Sequence, residues 1–427
     1  MSAVTPVVPS PHVLIIVENL PVPADYRVWL IATTLRSAGY AVSVIAPATA
    51  AFPAGSFVLE GIHIERHRMP REARHFYQYF IEYGAALWHE LRLSLRIFKR
   101  RRFAIVHACN PPDLLWLIGI FWRLRSVRFI FDHHDLCPEL ILAKSHCQTP
   151  RELSLPRRML YTVALLLERI SFRCAARVLA TNASYRRVAL TRGRCRSEHV
   201  RVVTTAPRRA EIDAAPQHIV APAAAATIVY VGVMAVQDGV DGLLCTFARL
   251  LGQRPQPCTL LLIGDGPERA ALEELARQLG ISAHVQFAGF MARADMLRCV
   301  AACDVGVTPD PPGPMNNAST MLKVLDYMIC GVPQVMYDLP ENRATAGDCA
   351  VYAQPGSEAD LAHALQTVLY NTALRTQLAA AARARITRLA WEENGAPALL
   401  DVYASLLALP PDRTAAAATI TSDRSSP

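Results

Sequence analysis

Residues 315–335, MNNASTMLKVLDYMICGVPQV, join a loop of small polar residues to the start of a helix. Asn317, Ser319, Thr320 and Met321 stand where a helix read over 319–330 begins. Backbone amides at such a start have no partner inside the helix and, with the helix dipole, hold a phosphate well. Lys323 adds a formal charge on the first turns. Asp326 follows at i+3, on roughly the same face, where a carboxylate can accept hydrogen bonds from ribose hydroxyls. Gly331 and Pro333 then stop the helix before an apolar run. An ordinary capped helix with an incidental Lys–Asp pair has the same residues, so this segment alone leaves both readings open.

Three further segments carry polar residues just past apolar runs. FDHHDLCPEL (131–140) supplies His133, His134, Asp135 and Glu139. A neutral imidazole there, oriented by a carboxylate, can donate to a hydroxyl group. Adjacent residues of an extended chain point to opposite sides, which disfavours a His-His-Asp metal site and leaves a plain strand-end histidine pair as the alternative. ENLPVPADYRVW (18–29) brings Glu18, Asn19, Asp25 and Arg27 to a loop edge. IVHACNPPD (105–113) brings His107, Asn110 and Asp113. The prolines in both are equally what a simple turn requires. LLIGDGPE, with Gly264 and Gly266, reads as a strand–turn–helix common to many nucleotide-binding sheets and is weak alone.

The frame for these segments is an alternation of buried strands and helices. VLIIVE (13–18), AVSVIAP, IVHAC, RFIFDHHD and RVLATN are short apolar runs of the kind buried on both sheet faces, with helices such as 27–38 between them. That order implies parallel strands with right-handed crossovers. Residues 206–226 then read as a Pro- and Ala-rich linker. The pattern restarts with IVYVGV, TLLLIGDG, HVQFAGF, DVGVTP and PQVMYD. The expected organisation is α/β, with two doubly wound Rossmann-like domains facing across a cleft. Residues 1–205 form the first, 227–390 the second, 391–409 a C-terminal helix and 410–427 a disordered tail. Ligands of such sheets sit past the carboxyl ends of the strands, where strand order reverses.

Composition sets the bounds. A chain of 427 residues, 52% hydrophobic and 7% aromatic, is globular and long enough for two cores. Its eleven cysteines are scattered with no C-x-x-C pair, which fits small buried hydrophobes in a reducing cytosol. The first residues lack an export pattern, and the apolar stretches fall well short of the roughly 20 residues of a membrane span. Charge is divided unevenly: residues 1–210 carry 30 Lys plus Arg against 14 Asp plus Glu, and the remainder 14 against 22. A basic half points to anionic partners, yet no nucleic-acid module accompanies it, so nucleic acid is not expected. Residues 66–102 alternate cations with Phe, Tyr, Trp and Leu and end in KRRR, a pattern suited to an anionic membrane surface. A basic helix packed on its own domain fits equally.

The 315–335 segment resembles the donor-binding signature of the retaining glycosyltransferases of family four, enzymes of the GT-B fold, in the subgroup that builds bacterial surface polysaccharides. HVLIIVENLPVPADYRVW, IVHACNPPD, FDHHDLCPEL, VYVGVMAVQDGVD, LLIGDGPE and ENRATAGDCAVY agree in the family's order, so the resemblance spans nearly the whole chain. It implies that Gly232, Gly264, Gly266, Phe290, Asn317, Ser319, Thr320, Met321, Asp326 and Arg343 line a nucleotide-sugar site. Lys323, His134 and Asp135 would then lie at the reacting centre, with Glu18, Asn19, Asp25, Arg27, His107 and Asn110 on the acceptor side. Two departures stand out. The wider family's paired glutamates are Ala318 and Asp326 here, and its phosphate-binding Arg and Lys are Val233 and Asp238.

The activity the resemblance implies is transfer of a sugar from a nucleoside diphosphate sugar, with retention, to a saccharide or lipid-linked saccharide. It implies no cofactor and no metal, and a cytoplasmic protein peripheral to the inner face of the plasma membrane. A nucleotide-sugar epimerase of the same fold and a non-catalytic homologue are the alternatives.

Overall fold

A computed structural model describes residues 10–68, 76–218, 226–253 and 258–408, with backbone alone for 76–83. The described residues fall into two compact units. One is drawn from Met1–Pro138, Met159–Thr205 and Gly395–Pro427, the other from Glu139–Arg158 and Ala206–Asn394.

The first unit is built on eight strands: β1 His12–Val17, β2 Ala41–Pro47, β3 Gly55–Leu59, β4 Ile62–His67, β5 Ile105–Cys109, β6 Arg128–His133, β7 Arg177–Ala180 and β8 Val200–Val202. They lie in the order β3-β4-β2-β1-β5-β6-β7-β8. All pairs are parallel except the β3–β4 hairpin. That hairpin turns at Glu60–Gly61, both at positive φ, the conformation two-residue hairpin turns require. Every residue of β1 and β5 is buried, as strands covered by helices on both faces must be.

The second unit holds β9 Ala226–Val231, β10 Cys258–Ile263, β11 Val285–Gly289, β12 Val305–Thr308, β13 Gln334–Tyr337 and β14 Ala350–Ala353. Their order is β11-β10-β9-β12-β13-β14, all parallel. The helix Val240–Gly252 lays Leu243, Phe247 and Leu250, spaced four and three apart, onto Ile228, Tyr230, Leu260 and Leu262. Each such side chain stabilises the unit by roughly 1.5–3 kcal/mol on burial. Strand order reverses beside β1 in one sheet and beside β9 in the other.

Two stretches differ from the sequence expectation. The proposed linker contains a helix, Arg209–Ala214, whose Ile212 packs on Val324, Leu325 and Met328 of the second unit; residues 219–225 lie outside the described set. The last helix, Gly395–Ala408, belongs to the first unit, where Tyr403 is fully buried against His107 and Tyr40. The tail at 410–427 also lies outside the described residues. All eleven cysteines are free; five are buried and six half-buried.

Candidate active site

In the first unit the polar centre is Asp132, at the carboxyl end of β6 and without solvent exposure. Arg27, from the helix Tyr26–Ser37, clamps it with Nε to Oδ2 at 3.1 Å and Nη2 to Oδ1 at 2.7 Å. Arg27 Nη1 donates to the carbonyl of Val203 and to Thr205 Oγ1. His107 Nε2 and His134 Nε2 both reach Asp132 Oδ2, at 3.1 and 2.9 Å. Burial opposes charge on Asp132, but Arg27 and the histidines hold its carboxyl well below the usual carboxylate range. Burial lowers the affinity of His107 for a proton, and Asp132 only partly offsets this. A neutral His107 donating from Nε2 then accepts at Nδ1 from the Tyr403 hydroxyl, 2.6 Å away.

This network corrects one expectation. His107 and Arg27 are interior residues that fix Asp132 and do not line an open edge. The carboxylate that orients His134 is Asp132. With Nε2 committed to Asp132, Nδ1 is the ring nitrogen of His134 left for another partner. Asn110 is 1% exposed and turned inward: Oδ1 accepts from the amides of His134 and Asp135, and Nδ2 donates to Asp113 and the Asp135 carbonyl. It staples the loop that carries His134. Burial pushes the carboxyl of Asp113 up to about 6. His133 faces the other way, 3.3 Å from Glu168, among Phe131, Phe172 and Tyr185.

In the loop after β1, Asp25 accepts from the Val28 amide and so caps the following helix. Asn19 is exposed. Glu18 turns inward, 3.3 Å from His67. His107, Cys109 and Asp132 offer three ligand-type atoms close together. Asp132 and His107 already spend theirs on Arg27, His134 and Tyr403, and burial pushes the Cys109 thiol well up.

In the second unit the loops after β9 and β10 are laced together. Gly232 donates to the Ile263 carbonyl, Met234 to Asp265, and Glu268 to Met234. A Cβ on Gly264, at φ +134, would stand 1.8 Å from the Gly232 carbonyl oxygen; one on Gly266 would stand 2.4 Å from that of Met234. These glycines are demanded by the approach of two backbones at the sheet's carboxyl edge.

Beside them lies Lys323, 7% exposed. Its Nζ donates to both carboxyl oxygens of Asp310, at 3.0 and 2.9 Å, and sits 4.6 Å from the centre of the Tyr230 ring. Burial opposes the ammonium charge, but Asp310 and Asp238 overcome this and raise its affinity for the proton. The carboxyl of Asp238 is pushed up to about 6 by burial, against the pull of Lys323 and with the push of Asp310.

The helix here is Leu322–Cys330 and begins three residues later than the sequence suggests, with Met321 as its cap residue. Side chains delay it: Ser319 Oγ donates to the Met315 carbonyl, and Asn316 donates to the carbonyls of Gln237 and Pro311, holding 311–319 as a turn. Asn317 Oδ1 is buried and accepts no hydrogen bond among the described residues. Thr320 Oγ1 lies 3.4 Å from Glu341. Asp326 does not pair with Lys323; it meets Arg293 at 2.9 Å, and Arg293 also approaches Glu211. Burial raises the Asp326 carboxyl, and Arg293 partly offsets it. Arg343 is held by both oxygens of Asp338 and stacks on Tyr352. Phe290 is 84% exposed.

Residues 24–206 match the family described as "Glycosyl transferase 4-like domain", and residues 225–371 match "Glycosyl transferases group 1". Each half of the chain thus matches a glycosyltransferase domain family. It is 30% identical over 192 residues to the lipopolysaccharide core biosynthesis glycosyltransferase LpsE of Rhizobium meliloti (strain 1021), covering 44% of this chain and 52% of LpsE. The alignments span about half or less of the length of the curated relatives matched. In fold the chain is similar to sucrose-phosphate synthase from Thermosynechococcus elongatus, with TM-score 0.74, 18% identity, and 93% and 99% of the two chains covered. It is also similar to Anabaena Alr3699/HepE in complex with UDP and glucose, with TM-score 0.66, 17% identity, and 93% and 100% covered. The two parallel sheets are those of the GT-B fold.

Among the described residues of the two units, Asp132, Tyr403, Asp310 and Arg293 are the polar residues that sequence reasoning missed. Two of them left a signal. Asp132 interrupts the apolar run RFIF at its end, and Asp310 stands two residues past β12 in DVGVTPDPP. Arg293 and Tyr403 left none, because each meets its partner only through the tertiary fold.

Proposed function

We propose that this chain is a nucleotide-sugar-dependent glycosyltransferase that transfers a sugar, with retention, to a lipid-linked saccharide in the synthesis of surface polysaccharide. The observation that carries the reading is Lys323 at the β9–β12 edge, where strand order reverses, beside the glycine loops after β9 and β10. An ammonium has three N–H donors, and the carboxylate of Asp310 takes two, so one remains for a donor phosphate. The amides of Leu322 and Lys323, at the helix start, supply the rest. Asp326 with Arg293 is the candidate ribose contact, and Asn317 Oδ1 a further acceptor.

In this reading no protein nucleophile and no metal take part in the transfer step. The departing diphosphate assists the incoming hydroxyl, and the protein stabilises its charge. His134 Nδ1 accepts from the sugar, oriented by Asp132. The LpsE similarity supports a saccharide acceptor attached to lipid.

We place the protein at the inner face of the plasma membrane. Trp88, which is 64% exposed, shares one helical face with the exposed Arg92, Arg96 and Lys99. The helix Leu155–Cys174 exposes Leu155, Met159, Val163 and Leu166 at i, i+4, i+8 and i+11, beside exposed Arg157 and Arg169. Of the KRRR run, Arg100 approaches Glu65, Arg101 donates to Ser10 and Arg102 lies over Phe98, so these three are partly engaged by their own unit. No helix among the described residues is long and apolar enough to cross a membrane.

A rival reading, binding without turnover, is favoured by the exposed Val233 and by Asp238 where the wider family places cations. Incubation with UDP-, GDP- and dTDP-sugars, with and without saccharide acceptors, separates the two. Release of nucleoside diphosphate with an axially linked product supports transfer. A thermal shift without release selects the rival, and no shift with any nucleotide sinks both.

A further inference from the structure

The first unit holds a second buried polar cluster that its hydrogen bonds leave unexplained. Glu18 follows β1, His67 ends β4, and Glu90 faces them from the helix Phe76–Arg100. They are 6%, 5% and 0% exposed. None of their six side-chain polar atoms, the four carboxylate oxygens and His67 Nδ1 and Nε2, makes a hydrogen bond among the described residues. Buried polar atoms are almost always partnered, because an unpartnered one costs roughly 1–3 kcal/mol and a buried unpaired charge far more. Six at one point need a common explanation.

Their geometry supplies one. One ligand atom from each residue lies within 4.8 Å of the other two, and His67 Nε2 is 3.3 Å from Glu18 Oε2. Two ligands at about 2.0–2.1 Å from a tetrahedral ion stand roughly 3.3–3.4 Å apart. The ring of His89 stacks on that of His67 at 5.8 Å and 12°, which fixes the plane in which Nε2 points. A shared proton between Glu18 and Glu90 would join two of the six atoms, leaving His67 Nδ1 unpartnered and Nε2 with only its 3.3 Å approach to Glu18. A divalent ion engages all three side chains and cancels both carboxylate charges. The donor set, one imidazole nitrogen and two carboxylates, suits ions of the zinc class better than magnesium or calcium, which prefer oxygen alone.

We propose that Glu18, His67 and Glu90 bind a zinc-class divalent cation that ties the loop after β1 to β4 and to the Phe76–Arg100 helix. The loop so fixed runs through the capping Asp25 to Arg27, which clamps Asp132. The ion is structural and stands outside the transfer step, so the proposal does not rest on the donor or acceptor assigned above.

The test uses the full chain, stripped with chelator and dialysed against ZnCl2 or CoCl2. One equivalent of zinc is expected to remain, with a higher melting temperature than in chelator. The cobalt form should show visible d–d bands without a thiolate charge-transfer band, which separates this site from any cysteine ligand such as Cys109. His67→Gln and Glu90→Gln should each weaken zinc by more than the roughly 10–100-fold that outer-shell changes cost. Glu18→Gln, nearer the surface, serves if either fails to fold. Absence of bound zinc in the wild type, a thiolate band, or equal zinc content in the variants overturns the proposal. So does a wild type that binds no metal while Glu90→Gln melts higher, since that is the signature of a shared proton.

Discussion

Lys323 is the residue on which the donor-site reading turns, and its burial allows a structural role to be separated from a binding one. Lys323→Met keeps the stem and removes the charge. Asp310, 1% exposed, then faces Asp238 with no cation between them. Breaking a buried ion pair by removing one partner costs about 3–5 kcal/mol. The chain's way out is to protonate Asp310. Each unit of acidification makes that protonation about 1.36 kcal/mol cheaper, so going from pH 7 to pH 5 offsets roughly 2.7 kcal/mol of the deficit. The deficit of the variant should therefore shrink by more than half on acidification. Hydrogen exchange of peptides covering β12 and the Leu322–Cys330 helix reads this locally and does not require the two-unit chain to unfold in one step. Lys323→Met with Asp310→Leu removes the unpaired charge and should recover most of the loss. Yet nucleoside diphosphate binding by calorimetry should stay weakened roughly ten- to a hundredfold, the worth of a charge-assisted contact. A deficit below about 1 kcal/mol at pH 7, or one equal at both pH values, refutes the structural argument. Normal nucleotide affinity in the double variant refutes the phosphate contact.

Four further outcomes are expected. His134→Ala should lower kcat more than donor affinity if, as proposed, the imidazole meets the reacting sugar; an equal loss in both removes it from the reacting centre. Gly264→Ala drives a Cβ into the Gly232 carbonyl from a positive φ and should cost about 3 kcal/mol or more, so an unchanged melting curve would contradict the described loop. Asp238, with its carboxyl pushed up to about 6, holds a proton in the folded state that the unfolded chain loses near pH 4. Stability should fall as pH rises from about 4 to about 6, by at most about 3 kcal/mol; Asp238→Asn should flatten that slope and raise stability at pH 7. Flotation with anionic liposomes should show binding that falls with salt and drops when Arg92, Arg96 and Lys99 become Gln, and salt-insensitive binding would return this face to a solubilising role.

What the sequence made legible follows from range. VLIIV, IVHAC and TLLLI announce strands buried on both faces because burial writes itself into consecutive residues. The hairpin at the sheet edge is quieter: β3 is exposed but for the half-buried Phe57, β4 carries His63, Glu65, Arg66 and His67, and the Glu60–Gly61 turn that joins them passes as an ordinary loop. The helix 322–330 was placed early because Ser319 and Asn316 bind backbone carbonyls and delay it, a competition that propensity cannot see. The Arg27–Asp132 pair spans 105 residues and the His107–Tyr403 pair 296, so neither leaves a local trace. Residues named from spacing therefore often take a posture that spacing does not reveal. Asn110 and Asp25 are turned to their own backbone, and Asp326 to Arg293.

The two sheets solve one electrostatic problem in two ways. Each places an acid at or just past the end of a strand (Asp132, Asp310) and brings a cation to it from a helix start (Arg27, Lys323). In a buried setting neither charge is tolerable alone, so each pair is first a requirement of the fold. They differ in what is left over. Arg27 spends its donors on Asp132, Val203 and Thr205, and the surplus capacity of Asp132 goes to two histidines, one sealed under Tyr403 and one half-buried. The product of that pair is an oriented imidazole. Lys323 meets a single carboxylate and retains a donor, so the product of the second pair is a fixed positive point beside glycine loops too narrow for side chains. With Val233 and Asp238 where the resembled family places an arginine and a lysine, the proposed donor site draws its formal charge from that one N–H, which is why losing it should cost affinity even when the fold has been repaired.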